Sequence, residues 1–291
     1  MRRHDDPPIS RVLVGTDGSP NGEEAVRQAA RLAAIAGADL DAICVLDRAS
    51  IVPHSGESLA REIARADAAL DEAARLADKE GVEVQTARPT GAPAATLMRE
   101  ARLRWADLLV VGADAGLRQK PRIMGRVAAQ LLRECDTSTL IARVPRDPDG
   151  ARFPKRILCG VDGSDDALEA VRVAAWIAAD GGGELDLLHV IGVERSSRVG
   201  WSASVRDPSP GDPLDPAVAL AREAGIAPHA RRILGEPGPG MVEQAKAAET
   251  DLLVMGSRGL HGLRRALLGS VSGWAAHHAP CSVLVVHPRP G

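Results

Sequence analysis

The sequence predicts an α/β protein made of two tandem, doubly wound domains, each a five-stranded parallel sheet flanked by helices. Three observations predict it. Short unbroken apolar runs, such as LLVM at 252–255, alternate with longer helical segments, as expected of strands covered by helices on both faces. The chain also repeats itself. RVLVGTDGS at 11–19 returns as RILCGVDGS at 156–164, and DLLVVG at 107–112 returns as DLLVMG at 251–256, offsets of 145 and 144 residues. A period this long marks a duplicated domain, since solenoid units run about 20–50 residues. Finally, VPRDPDGARFPK at 144–155, rich in proline, glycine and charge, reads as a linker. Domains over 1–146 and 155–291 follow.

Each copy presents the same elements in order. Strand one covers 12–15, or 157–160. A helix follows, with Ser19 or Ser164 as N-cap and Pro20 suited to a first helical position. In the second copy Leu168, Val171, Ala175 and Ala178 share one helical face, and Gly37 and Gly181 are the stop signals. Strand two covers 40–46, or 185–191. A long helix over 58–79 comes next in the first copy. The second copy diverges here: Pro208, Pro210, Pro213 and Pro216 break any continuous helix, leaving a loop that carries Trp201 and a short helix over 217–224. Strand three covers 82–87, or 230–233, and a turn with Pro93 or Pro237 opens the next helix. The DLLV runs are strand four; after a glycine loop and another helix, strand five covers 140–142, or 283–286.

Composition narrows the function classes. A formal net charge of −3, no Tyr and a single Phe give neither the electrostatic footprint nor the stacking platforms of nucleic-acid binding. No apolar run reaches the roughly 20 residues that span a bilayer. MRRHDDPPIS at the start has charges but no apolar core, so it does not read as a signal peptide. Cys44, Cys135, Cys159 and Cys281 form no CxxC pair, and Cys44 and Cys159 fall inside strand-like runs, which suggests reduced structural thiols and a cytoplasmic setting.

The most informative stretch is DLLVMGSRGLHGLRRALLGSVS at 251–272. The strand ends at Gly256, and the spacing is Gly256-x2-Gly259-x9-Gly269-Ser270 with His261, Arg264 and Arg265 between. Glycine lets backbone approach a ligand closely or take positive φ. A Gly-Ser at a helix start leaves N–H groups pointing outward, and with the helix dipole these form an anion site. Arg258, Arg264 and Arg265 raise the local positive potential. This fits a phosphate cradle, although an ordinary α/β loop can carry the same glycines and surface arginines are solvated by default. Asp162 stands just past strand one, flanked by Val161, Gly163 and Ser164. A carboxylate there can accept from ribose hydroxyls, or it can close the Asp-Gly turn. The adjacent His277 and His278 lie about 100° apart on a helix, whereas helical metal ligands want i,i+4 spacing.

The stretch at 251–272 resembles the nucleotide loop of the universal stress protein family, whose ATP-binding members carry G-x2-G-x9-G-[S/T]. Every fixed position is present, and the resemblance extends over nearly the whole chain, as a tandem member. It implies a Rossmann-like strand order of 3-2-1-4-5 in each half. Ligands on such sheets sit at the carboxyl ends of the strands where the order reverses, which brings the Asp162 end of strand one beside the Gly256 end of strand four. The resemblance places Asp162 at the sugar and the backbone of Val190 against adenine. It places Gly256, Gly259, Gly269 and Ser270 on the phosphates, with Ser257, Arg258, Val271 and Ser272 adjacent. His189 reads as packing. In the first half, Asp17, Val45, Gly112 and Gly125 hold the matching positions, but Ala115 replaces Gly259 and Arg126 replaces Ser270, with a glycine one place late at Gly116. Weaker binding is expected there, although Arg118, Lys120, Arg122 and Arg126 keep positive charge.

What the resemblance implies is an ATP-binding regulatory module of the stress response, with magnesium accompanying the triphosphate although no acidic motif is dedicated to it. It also implies dimerisation through strand five, here between the two halves of one chain, and leaves room for a homodimer of whole chains. Two alternatives stand beside it. One is a slow ATPase, for which no general base or Ser-His-Asp arrangement can be placed at the phosphates. The other is a nucleotide-free scaffold acting by association.

Overall fold

The computed structural model describes residues 7–47, 56–113, 124–144, 154–196, 202–206, 211–259 and 268–288. The chain divides into two compact units, Met1–Asp149 and Gly150–Gly291. The first runs β1 (Arg11–Gly15), α1 (Pro20–Ala36), β2 (Asp39–Ile43), β3 (Leu46–Asp47), α2 (Gly56–Lys79), β4 (Val84–Ala87), β5 (Thr90–Gly91), α3 (Pro93–Leu103), β6 (Leu108–Gly112), α4 (Arg126–Glu134) and β7 (Ser138–Ala142). Its main sheet has the order β4-β2-β1-β6-β7, all parallel, and β3 pairs with β5 apart from it.

The second unit runs β8 (Arg156–Gly160), α5 (Asp165–Gly181), β9 (Glu184–Ser196), β10 (Ser202–Arg206), α6 (Leu214–Glu223), β11 (His229–Gly235), α7 (Pro237–Ala247), β12 (Leu252–Gly256), α8 (Ser270–His278) and β13 (Ser282–Val286). The parallel order is β11-β9-β8-β12-β13, with β10 antiparallel along the far half of β9. Numbering the five principal strands of each unit in chain order, both sheets read 3-2-1-4-5, as the resemblance implies.

Local chemistry explains the elements. Val12, Leu13 and Val14 of β1 and Leu158 and Cys159 of β8 have no exposed surface, so these strands need apolar residues on both faces. Ser19 accepts from the Gly22 N–H at 3.1 Å and Ser164 from the Ala167 N–H at 3.2 Å, capping α1 and α5 as expected. Gly37 closes α1 at φ 57°. In α5 the cap is Gly182 at φ 67° rather than Gly181, which stays helical. Three glycines run from Gly181 to Gly183, and the pattern does not say which one turns.

Two further expectations need correcting. Strand two of the second unit does not end at the expected 191. It continues to Ser196 and pairs antiparallel with β10, an extension with no counterpart among the described residues of the first unit. Helix α6 starts at Leu214, before the expected 217, with Pro216 inside its first turn. A proline is tolerated there because the first N–H groups of a helix have no intrahelical acceptor to lose. Asp212 serves the start, its Oδ1 accepting from the Leu214 N–H at 3.1 Å. Trp201, Pro208 and Pro210 lie outside the described residues, as do 145–153 of the linker.

The acidic residue that opens each DLLV run is a clamp. Asp107 Oδ2 accepts from the Ser10 N–H (2.8 Å), the Ser10 hydroxyl (2.6 Å) and the Arg11 N–H (3.1 Å). Asp251 Oδ2 accepts from the Lys155 and Arg156 N–H groups at 2.9 and 2.8 Å. Each carboxylate therefore ties the start of the first strand of its unit to the start of the fourth. No disulfide joins the four cysteines, and all four are buried. Burial pushes the Cys44 thiol up to about 11, against the opposing pull of the Arg65 guanidinium, and raises Cys135 and Cys159 as well.

Two predictions follow from these contacts. Asp107→Ala should lower stability in urea titration by about 1–3 kcal/mol, and Asp251→Ala by less, because the bonds of Asp251 are solvent-exposed. The thiols predict a pH effect. Folding keeps Cys44 protonated up to about 11, whereas the unfolded thiol ionises near 9.0. The unfolded state alone releases the proton in that window, so stability should fall as pH rises from 9 towards 11. Urea midpoints across the window check this, and Cys44→Ala should flatten the decline.

Candidate functional site at the carboxyl ends of β8 and β12

In the second unit the strand order reverses between β8 and β12, and both strands end in loops there. Past β8, the Val161 N–H still donates to the Leu188 carbonyl at 2.9 Å. Val190 lies two residues beyond Leu188 on β9. By strand alternation its N–H and C=O face the same way, over the end of β8. Its counterpart Val45 lies two residues beyond Ile43, whose carbonyl accepts from the Thr16 N–H at 3.0 Å. His189 is buried, with Nδ1 2.7 Å from the Val161 carbonyl oxygen. It packs and ties β9 to the site loop.

Asp162 closes the turn that the sequence allowed. Its Oδ1 accepts from the Ser164 N–H at 3.0 Å and the Ser164 hydroxyl at 2.6 Å, closing a turn in which Gly163 has φ 83°. Its Oδ2 looks across to the glycine loop: a Cβ placed on Gly259 would stand 2.6 Å from that oxygen. The carboxylate is half-buried. Asp17 repeats the turn, its Oδ1 accepting from the Ser19 N–H at 3.0 Å, but it is exposed, and Arg65 of α2 donates to its backbone carbonyl at 3.3 Å.

The glycines of the loop do different work. A Cβ on Gly256 would lie 2.7 Å from the carbonyl carbon of Asp166 and 2.9 Å from the Ala167 nitrogen. A Cβ on Gly112 would lie 2.7 Å from the carbonyl oxygen of Asn21. In both units, then, the first turn of the helix after strand one rests directly on the glycine that ends strand four. That glycine is demanded by the fold. Gly269 differs. It stands at the start of α8, its N–H donating to the Ser257 carbonyl at 2.8 Å, and a Cβ there would meet no atom closer than 3.3 Å. No side chain among the described residues caps α8. Among the described residues, the N–H groups of Ser270, Val271 and Ser272 are the donors that a helix start leaves without an intrahelical acceptor. Gly125 repeats this at α4, its N–H on the Ala113 carbonyl at 2.7 Å, with Arg126 exposed beside it.

Three residues expected beside the phosphates have partners within the protein. Ser272 is buried and donates to the Gly256 carbonyl at 2.6 Å. Ser257 is buried and donates to Asp166 Oδ2 at 2.8 Å. Arg258 gives the same oxygen its backbone N–H at 3.1 Å and its Nε at 3.0 Å, and a terminal guanidinium nitrogen lies 3.4 Å from Asp166 Oδ1. Asp166 itself was not anticipated. It sits 92 residues from Arg258, and no local pattern links them. The repeat held the signal: Asp166, Ser257 and Arg258 align with Asn21, Ala113 and Asp114. His261, Arg264 and Arg265, and in the first unit Ala115, Gly116, Arg118, Lys120 and Arg122, lie outside the described residues.

A doubly wound unit with a glycine loop and an uncapped helix start at its switch point belongs to the Rossmann-like α/β proteins. The particular family follows from comparison. The universal stress protein family model matches residues 8–143 and 154–287, and the chain belongs to that family. A universal stress protein of Mycolicibacterium smegmatis is 30% identical over 299 residues, spanning 96% of this chain and 97% of its own. One from Methanocaldococcus jannaschii is 34% identical over 146 residues, covering 47% of this chain and 85% of its own. A universal stress protein structure from Archaeoglobus fulgidus superposes with a TM-score of 0.74 at 19% identity, over 95% of this chain and 97% of that one.

The two kinds of glycine predict different mutational outcomes. Gly256→Ala and Gly112→Ala should each lower stability by about 1–3 kcal/mol in denaturant titration, since helix backbone must move aside. Gly269→Ala should cost less than about 1 kcal/mol, the ordinary difference between the two residues at an N-cap.

Proposed function

We propose that the second unit binds an adenine nucleotide, ATP foremost, and that the protein is a nucleotide-dependent regulatory module of the stress response. The observation that carries this reading is Gly269. It opens a helix that no described side chain caps, in a loop whose other end brings Gly259 against Asp162. Phosphate oxygens would accept from the N–H groups of Ser270 and its neighbours and from the Ser270 hydroxyl. The Oδ2 of Asp162 would accept from the ribose, and the outward N–H and C=O of Val190 would read the adenine edge. Magnesium would accompany the triphosphate. Gly256, Ser257, Arg258 and Ser272 would support the loop rather than touch the ligand.

The first unit is proposed as the weaker site. Asp17, Val45, Gly112, Gly125 and Arg126 occupy the matching positions, and Arg126 places a cation where the second unit has a hydroxyl. Pairing of the two units through β7 and β13, which end their respective strand orders, is part of the same proposal, as are a homodimer of whole chains and a cytoplasmic location. Among the described residues no helix is long and apolar enough to cross a membrane.

The test is nucleotide content and affinity of the purified chain. About one ATP per chain, released on denaturation and lost with Asp162→Ala or Gly269→Val but retained with Gly125→Val, is the expected result. No nucleotide on release and none on titration overturns the proposal, and equal losses from the two halves overturn the asymmetry.

A further inference from the structure

Asp166 is buried, yet it is a carboxylate, and all of its described side-chain partners lie across a gap of about ninety residues in the glycine loop. We infer that the Asp166–Ser257–Arg258 brace positions the nucleotide loop, and that its loss from the first unit is what separates a competent site from a degenerate one. The inference rests on the nucleotide reading proposed above.

The argument runs from charge to geometry. One oxygen of Asp166 accepts from the Ser257 hydroxyl, the Arg258 backbone N–H and the Arg258 Nε, and its other oxygen faces the same guanidinium. Bonds to an ionised acceptor are the strong ones, and a planar guanidinium on a carboxylate fixes orientation as well as distance. Asp166 stands in the first turn of α5, whose backbone already rests on Gly256. The brace therefore holds residues 257 and 258 on the same turn. The next residue is Gly259, the one that approaches Asp162 Oδ2. Ser272, through the Gly256 carbonyl, fastens the far end of the loop to the same strand end. Both ends of the cradle are thus fixed relative to Asp162 before any ligand arrives. Preorganisation of this kind raises affinity by removing the ordering cost at binding.

The first unit supplies the contrast. Asn21 replaces Asp166, Ala113 replaces Ser257, Asp114 replaces Arg258 and Ala128 replaces Ser272. Each exchange removes a donor or acceptor used in the second unit, while the underlying helix-on-glycine contact persists at Gly112. The differences at Ala115 and Arg126 change what the ligand meets. The differences at Asn21, Ala113, Asp114 and Ala128 change how firmly the loop is held.

Asp166→Asn, which copies the first unit, and Arg258→Ala decide the matter in the full-length chain, with Gly269→Val as the binding-defective control. ATP affinity by calorimetry and hydrogen exchange at residues 257–259 without nucleotide are the readouts. The expected result is a Kd raised about tenfold in each single variant, or about 1.4 kcal/mol. Exchange at Ser257 and Arg258 should be faster in Asp166→Asn, and the double variant should bind no more weakly than the worse single. Wild-type affinity in Asp166→Asn overturns the inference. So does tighter binding, which would mean that Arg258 grips phosphate once released. If the wild-type chain itself takes up no ATP, the nucleotide reading has failed. The brace is then judged by exchange alone: unchanged protection in Asp166→Asn overturns it, and faster exchange upholds its role in ordering the loop.

Discussion

Both units depend on one close approach, that of a helix start to a glycine. The first turn of α5 lies on Gly256 and the first turn of α1 on Gly112, near enough that a methyl group on either glycine would overlap peptide backbone. This contact sets the distance between the first and fourth strands' carboxyl ends, where the strand order reverses. It also aims the Asp-Gly turn after strand one at the loop after strand four. The N-caps Ser19 and Ser164, the positive φ of Gly18 and Gly163, and the clamps Asp107 and Asp251 at the opposite end of the sheet all serve this arrangement. They hold the two strands in register and the helix at a fixed entry angle.

Most of the fold was legible in the sequence because it is written in local patterns and then written twice. Apolar runs marked the strands, serine caps and Pro20 marked the helix starts, and the 144–145-residue offset confirmed each element by its copy. The misreadings fell where the copies diverge or where chemistry is degenerate. With three consecutive glycines, the cap at Gly182 could not be told from Gly181. The prolines place the expected start of α6 three residues too late, because a proline in a first turn loses no hydrogen bond. The β9–β10 extension was hidden because no described element of the first copy matches it.

The site was legible in a different way. Asp162, Gly256, Gly259 and Gly269 come together at one switch point, as their positions on strands and loops imply. What a motif could not assign was the job of each residue. Ser257, Arg258 and Ser272 stand within the motif and so read as ligand contacts, yet their polar atoms are engaged by Asp166 and by the Gly256 carbonyl. A long-range carboxylate leaves no periodic trace, and only an alignment of one half against the other exposes it.

That alignment also changes what the first unit's remaining glycines mean. Gly112 looks like a relic of a nucleotide loop, but the weight of α1 on it is sufficient reason for a glycine, with or without a ligand. Asp17 likewise closes a turn by accepting from Ser19, so its presence is explained by the turn alone. Neither residue counts as evidence that the first unit binds. The informative positions are those that these shared contacts do not explain. There the two units differ: Gly259 against Ala115 and Ser270 against Arg126 at the loop, with Asp166 against Asn21 beneath it. A duplicated α/β unit must keep the contacts that hold its strands and helix starts together, but it is free to lose the bracing of a loop. At the switch point, the divergence between the two halves falls on that bracing and on the residues it would present to a ligand.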